Sequence, residues 1–108
     1  MRVQIATRGS SVPEDVQARA VDQIQKLERF DAEVLSADLV FEEVRHLRKV
    51  EAIVSIANSE PMVVTGEKEE WLSAVDELVE RLGRMLRRHR ERRTERHPRN
   101  GAPEFGLG

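Results

Sequence analysis

The sequence predicts an α+β domain with the element order βαβββα, in which a four-stranded sheet has two helices packed on one face. Two segments, one near each end, carry apolar residues at the spacing of a helix. Between them, apolar residues alternate with polar ones at the period of a strand. Because each helix has one apolar stripe to bury, we expect both helices to cover the same face of the sheet.

Length and composition indicate one small domain. The chain has 108 residues, and we predict a folded domain over residues 1–97 and a flexible tail over 98–108, where Gly, Pro and Asn occur without periodicity. The absence of cysteine excludes disulfides and fits a reducing compartment. No apolar run approaches the roughly 20 residues of a membrane span, so we expect a cytoplasmic protein with no membrane partner.

The first strand and the first helix occupy the beginning of the chain. Val3 and Ile5 alternate with polar residues, which is typical of a half-buried strand. A helix is predicted over residues 13–29, with Pro13 in its first turn and Ser11 as its N-cap. Its apolar stripe consists of Val16, Ala20, Val21, Ile24 and Leu27.

Three consecutive strands with short turns predict an antiparallel meander. From Ala37 the apolar period becomes two, and a charged hairpin tip is expected at residues 45–48. A further strand follows over 50–56, and residues 58–61 have the composition of a turn. The last strand is predicted over 62–65 and is closed by Gly66, and the second helix is expected to begin near Glu69.

Signals for catalysis or metal binding are weak. The three histidines, His46, His89 and His97, have no partner at a metal-ligand spacing, and there is no thiol ligand. We therefore expect solvated histidines and predict no enzyme activity, no catalytic or metal-binding residue, no cofactor and no small-molecule substrate.

The segment from Trp71 to Arg96 carries the main functional signal. Its first half has apolar residues at helical spacing, and its second half is rich in arginine. Residues 1–80 hold 9 Lys or Arg and 17 Asp or Glu, a net charge of −8, whereas residues 81–108 hold 9 Arg and 3 Glu, a net charge of +6. The positive charge is thus concentrated on one element, where it can create a strong local field. The apolar stripe consists of Leu72, Val75, Val79, Leu82 and Leu86.

Several interpretations of the arginines remain open. The i,i+4 pairs Glu77–Arg81 and Glu80–Arg84 could account for the first arginines as part of a solvated helix face. They do not account for the run over 87–93, where Glu91 faces five arginines. Guanidinium groups form bidentate contacts with phosphate, so the run favours nucleic acid as partner, and a solvated tail or an acidic protein partner are the alternatives. A smaller basic patch on the first helix is explained equally well by solubility.

The sequence resembles the ribosome hibernation promoting factor and ribosome-associated inhibitor family over about residues 1–93. The resemblance rests on the element order, on the N-terminal MRVQIATRG, on VQARAVDQIQKLERFD, and above all on GEKEEWLSAVDELVERLGRMLRRHRER. Within the last segment, Trp71 lies near the helix start, Ala74-Val75-Asp76 follows, and Arg81-Leu82 precedes the basic half.

The resemblance implies a fold similar to double-stranded RNA-binding domains and a function in translation. Such proteins bind the small ribosomal subunit and its rRNA, occupy the sites of mRNA and tRNA, and keep idle ribosomes inactive. The alternatives are an RNA-binding module for another structured RNA and a protein-interaction module that uses the arginine-rich helix. We expect a monomer when the protein is free. The predicted RNA-binding residues are Lys26, Arg29, Arg81, Arg84, Arg87, Arg88, Arg90 and Arg92.

Overall fold

The computed structural model describes the backbone of residues 1–9, 11–31 and 33–101, and the side chains of residues 1–9, 11–29, 31 and 33–92. The predicted order βαβββα is confirmed, with one short 3₁₀ helix added after the first helix. The elements are β1 (Arg2–Arg8), α1 (Glu14–Lys26), the 3₁₀ helix (Leu27–Phe30), β2 (Val34–Val44), β3 (Leu47–Ile56), β4 (Met62–Lys68) and α2 (Trp71–Gly101).

The four strands form one mixed sheet in the order β1-β2-β3-β4. β1 pairs with β2 in parallel, with Val3 opposite Ala37, and α1 makes the crossover between them. β2, β3 and β4 pair antiparallel, so the predicted meander is confirmed. Burial alternates along β2 with the period of a strand. Leu39 and Phe41 are buried, whereas Asp38 is exposed.

The core lies between one face of the sheet and the two helices, as predicted. α2 packs on β3 and β4, α1 contacts β1, and the two helices contact each other. Phe41 and Trp71 join the sheet to the start of α2 by an edge-to-face contact, with ring centroids 5.7 Å apart. The largest fully buried apolar side chains are Phe41, Ile24, Leu39, Leu78, Leu82, Leu86, Val50, Val54 and Val75.

The ends of α1 differ from the prediction. The helix begins at Glu14, and its N-cap is Pro13 rather than Ser11, with no side-chain cap hydrogen bond. The carbonyl of Pro13 instead accepts hydrogen bonds from the backbone N–H groups of Val16 and Gln17. At the other end the chain tightens into the 3₁₀ helix, a common ending for α-helices, which lets Leu27 remain buried.

Gly66 does not close β4 but lies inside it. The strand continues to Lys68, and α2 passes directly over Gly66. A Cβ atom at this position would lie 2.2 Å from the backbone oxygen of Ala74 and 2.8 Å from the backbone nitrogen of Leu78. The glycine is therefore required by the close approach of a helix, and the prediction mistook it for a strand end.

The β2–β3 turn is shorter than predicted. Arg45 and His46 form the turn, and Val44 already faces Leu47 across the hairpin. Arg45 has φ 60°, in the left-handed region that favours glycine or asparagine. The turn predicted at residues 58–61 is confirmed, with Asn58 at φ 58°.

α2 carries both the packing surface and the basic segment. It begins at Trp71, two residues later than expected, and Leu72 is 43% exposed because Trp71 takes the buried position in the first turn. The backbone remains helical to Gly101, beyond the predicted start of the tail at residue 98, and residues 102–108 lie outside the described residues. Among the described residues, no helix is long and apolar enough to cross a membrane.

Candidate nucleic-acid interface

A groove between the end of α1 and the middle of α2 brings together four of the eight predicted RNA-binding residues. Its volume is about 400 Å³. Lys26 and Arg29 line one side, and Arg84 and Arg87 line the other. The remaining lining residues are Gln23, Leu27, Val79, Glu80 and Gly83.

Local structure explains why these cations face one another. Lys26 is the last residue of α1, and Arg29 lies in the 3₁₀ helix that follows. The helices approach closely at the floor of the groove, where a Cβ atom at Gly83 would lie 3.7 Å from Cδ2 of Leu27. Outside the groove, Arg19 and Asp76 link the same two helices with a nitrogen–oxygen distance of 3.5 Å. The four cations thus lie on packed elements, with α1 and the 3₁₀ helix on one side of the groove and α2 on the other.

Two groove cations have weak partners within their own helices. Nζ of Lys26 lies 3.2 Å from the Asp22 carboxylate, and the Arg84 guanidinium lies 3.5 Å from that of Glu80. Both pairs are more than half exposed, so each contributes at most about 1 kcal/mol. A phosphate with better geometry can therefore replace either carboxylate. The predicted Glu80–Arg84 pair is confirmed.

Arg81 lies apart from the groove, at the free edge of β4. Its guanidinium donates to the carbonyl oxygen of Thr65 at 2.9 Å and lies 3.5 Å from Glu77, which confirms the second predicted i,i+4 pair. Glu77 also accepts the backbone N–H of Glu67 at 2.8 Å. That hydrogen bond, followed by the charges of Arg81 and Lys68, lowers the pKa of Glu77 below its ordinary value. Arg81 is thus engaged in holding α2 to β4.

The other predicted residues lie further along α2. Arg88, Arg90 and Arg92 are exposed, and they follow Leu86, the last apolar residue of the helix that the core buries. They carry the positive charge further along α2. The eight predicted residues therefore fall into a groove set, an exposed helical set, and Arg81 at the sheet edge.

The prediction of solvated histidines holds for His46 and is wrong for His89. His46 is exposed in the β2–β3 turn. The side chain of His89 is 17% exposed, and its Nδ1 lies 3.0 Å from Oδ2 of Asp31, a carboxylate with no exposed surface. The turn after the 3₁₀ helix brings Asp31 under α2. The side chain of His97 lies outside the described residues, and among those described no group of three or more acidic or His residues could hold a metal ion.

Sequence reasoning missed the Asp31–His89 contact, although one signal for it exists. His89 lies seven positions after Leu82 and three after Leu86, so it continues the buried stripe of α2. A polar residue on a buried stripe needs a polar partner. The identity of that partner is hidden, because Asp31 lies 58 positions away in the sequence.

Fold and groove together define a small α+β domain that presents cations on two packed helices, an arrangement suited to closely spaced anions such as phosphates. The chain belongs to the Sigma 54 modulation protein / S30EA ribosomal protein family, whose model matches residues 3–94. The family resemblance found in the sequence is thereby confirmed.

Known proteins resemble this chain in sequence or in fold. A ribosome hibernation promoting factor from Azotobacter vinelandii is 27% identical over 96 residues, which cover 89% of each chain. A ribosomal subunit interface protein from Coxiella burnetii superposes with a TM-score of 0.78 at 16% identity, over 84% of this chain and 99% of that one. The N-terminal domain of Thermus thermophilus Protein Y superposes with a TM-score of 0.72 at 18% identity, over 82% of this chain and 99% of that one. At these identities the two structural comparisons establish the fold.

Proposed function

We propose that this protein is a ribosome-associated hibernation factor. In this proposal it binds rRNA of the small subunit, blocks the sites that mRNA and tRNA use, and thereby keeps idle ribosomes inactive. It is a cytoplasmic protein and a monomer when free, and on the ribosome it acts by occupying space rather than by catalysing a reaction. The family and the hibernation promoting factor among its relatives support the ribosome as partner.

The observation that carries the proposal is the groove that gathers Lys26, Arg29, Arg84 and Arg87. Phosphates of folded RNA lie close together, and a groove with cations on both sides can contact several of them at once. The apolar floor supplied by Leu27 and Val79 offers few hydrogen bonds to base edges. The geometry therefore favours recognition of backbone shape and charge over recognition of sequence.

The exposed arginines on α2 enlarge this surface. Arg88, Arg90 and Arg92 continue from the groove along the same helix. Residues 1–80 carry a net charge of −8, so most of the attraction to RNA has to come from the end of α1 and from α2.

The test is co-sedimentation with purified small subunits in a sucrose gradient. The triple variant Arg84→Glu, Arg88→Glu, Arg92→Glu should lose co-sedimentation while its free energy of unfolding stays within about 1 kcal/mol of the wild type, because all three side chains are exposed. Continued sedimentation of the folded triple variant with the subunit would contradict the assigned role of α2.

A matched control keeps the change in net charge constant. Arg2, Arg8 and Arg45 are exposed on β1 and on the β2–β3 turn, away from the groove. Reversal of these three charges should leave binding nearly unchanged. If both triple variants lose binding equally, net charge rather than the groove determines the affinity.

A competition experiment separates this function from binding to another structured RNA. Purified ribosomes and total RNA stripped of ribosomal protein are compared, at equal mass and in separate reactions, as competitors for the labelled protein bound to small subunits. Displacement by ribosomes at a much lower concentration than by the stripped RNA supports the ribosome as partner. Capture that survives nuclease treatment would indicate an acidic protein partner instead.

A further inference from the structure

A buried carboxylate lies beneath the basic part of α2. Asp31 has a side chain with no exposed surface, and among the described residues it is the charged residue that the core buries. Its Oδ1 accepts the backbone N–H of Glu33 at 3.0 Å, and its Oδ2 lies 3.0 Å from Nδ1 of His89. Burial of a carboxylate is costly unless such partners are present, so this arrangement needs a reason.

The backbone on the Asp31 side is firmly anchored. The N–H of Asp31 donates to the carbonyl of Glu28 at 3.2 Å, and its carbonyl accepts from Val34 at 3.3 Å. These bonds join Asp31 to the 3₁₀ helix before it and to β2 after it. Arg29 belongs to the same 3₁₀ helix, so the position of the carboxylate and that of this groove cation are fixed together.

On the α2 side, the part of the helix that packs in the core ends before this segment. Leu86 is the last apolar residue of α2 in the core. Of the described side chains from Arg87 to Arg92, His89 is the one that is not exposed. The Asp31–His89 contact is therefore a tertiary contact of this segment that is largely shielded from solvent, since the His89 side chain is 17% exposed and the Asp31 side chain 0% exposed.

We infer that Asp31 and His89 are positioning residues that hold the basic segment of α2, residues 87–92, against the end of the 3₁₀ helix that carries Arg29. The inference rests on the proposed function, and it explains how the RNA-binding surface is held in place. Cations on the two sides of the groove repel one another, and this repulsion favours a wider groove or frayed helix turns. The contact opposes that opening and fixes the cations before RNA arrives, so less ordering is required on binding.

The chemistry of the contact allows a conservative test. A carboxylate accepts hydrogen bonds, so Nδ1 of His89 acts as the donor. The Nδ2 amide of asparagine occupies nearly the same position as Nδ1 of histidine, and His89→Asn therefore keeps a donor for Asp31. His89→Leu keeps a similar volume but leaves Asp31 without this donor.

The experiment combines two measurements on the full-length chain. Amide hydrogen exchange of the free protein reports the order of residues 87–92 without any RNA. Co-sedimentation with small subunits gives the affinity. His89→Leu should accelerate exchange over residues 87–92 while amides of β2 and β3 remain protected, and it should weaken binding about tenfold, the factor expected for about 1.4 kcal/mol. His89→Asn should restore most of both properties.

The remaining outcomes are also decisive. Unchanged exchange and unchanged affinity in His89→Leu would overturn the inference. Weaker binding with unchanged exchange would also overturn it, because His89 would then act on RNA directly rather than through the helix. If the wild type does not bind ribosomes, the proposed function fails, while the exchange data still decide whether the contact orders the segment. Exchange that rises across the whole sheet in His89→Leu, with no recovery in His89→Asn, would reduce the contact to a general role in stability and would overturn the inference.

Discussion

The two halves of α2 differ in what their charged residues contact. In the packed half, Trp71 to Leu86, the side chains of Val75, Leu78 and Leu82 are buried, and Arg81 is bonded to Thr65 and Glu77. In the basic segment, residues 87–92, every described side chain except His89 is exposed. We therefore expect changes to the buried face of the packed half to alter stability. Changes to its exposed groove residue Arg84 and to the basic segment should alter affinity for RNA.

The largest expected effect concerns the packing of α2 on β4. Gly66→Ala should destabilise the domain by more than about 3 kcal/mol, because its Cβ would lie 2.2 Å from the backbone oxygen of Ala74. The measurement is the free energy of unfolding from urea titration followed by circular dichroism.

Gly83→Ala is the matched control on α2 itself. A Cβ there meets Leu27 at an ordinary contact distance of 3.7 Å, so the replacement should stabilise the helix by up to about 1 kcal/mol. Equal stabilities of the two variants would show that α2 does not approach β4 as closely as described.

How much of the fold and of the candidate site could be predicted from the sequence depends on how far apart in the sequence the contacting residues lie. Periodicity located the inward faces of β2 and β3 and the packed half of α2, because these patterns depend on neighbouring residues. Periodicity did not distinguish Gly66 inside a strand from a glycine at a strand end, because the close approach that requires this glycine comes from another element, α2. The Asp31–His89 contact joins positions 58 apart, and no local pattern connects them.

The groove residues show the same difference between what a local pattern predicts and what the packing of distant elements determines. Its cations were predicted individually, from the arginine run and from the family resemblance. Their separation into a groove set and an exposed set follows from how α1 packs on α2. The bonds of Arg81 to Thr65 depend on where β4 lies beneath the helix, which periodicity does not specify.

A smaller effect is expected from the carboxylate in the groove. Glu80 is 72% exposed and lies 3.5 Å from Arg84, where it competes with phosphate for the guanidinium. Glu80→Gln should raise the affinity for small subunits by about two- to fivefold, the range expected for removal of an exposed charge interaction of up to 1 kcal/mol. Equilibrium binding at low salt measures this change.

Glu60→Gln provides the corresponding control, with the same change in net charge. Glu60 is exposed in the turn before β4, away from the groove. An equal gain of affinity in both variants would indicate a response to overall charge and would argue against competition at Arg84.

The smallest expected effect is on the dependence of stability on pH. The pKa of Glu77 is lowered in the folded state, chiefly by the N–H of Glu67, so its stabilising contribution is complete above its unfolded pKa. That contribution is lost as the pH falls from the unfolded pKa through the lowered folded pKa. Unfolding measured between pH 6 and pH 3 should therefore show a smaller loss of stability in Glu77→Gln than in the wild type.

The affinity for small subunits is the second property to measure in Glu77→Gln. Glu77→Gln should leave the affinity for small subunits at neutral pH nearly unchanged, because Glu77 and Arg81 lie at the edge of β4 and outside the groove. A large change of affinity in this variant would show that the β4 side of α2 also determines binding.

The central claim, that the groove between α1 and α2 binds phosphates, is tested most directly by the salt dependence of binding to small subunits. Each phosphate contact contributes about 0.7–0.9 to the slope of log affinity against log salt. The double variant Arg84→Gln, Arg87→Gln should therefore bind more weakly, with a slope shallower by about 1.5. An unchanged slope in the folded double variant would contradict the claim.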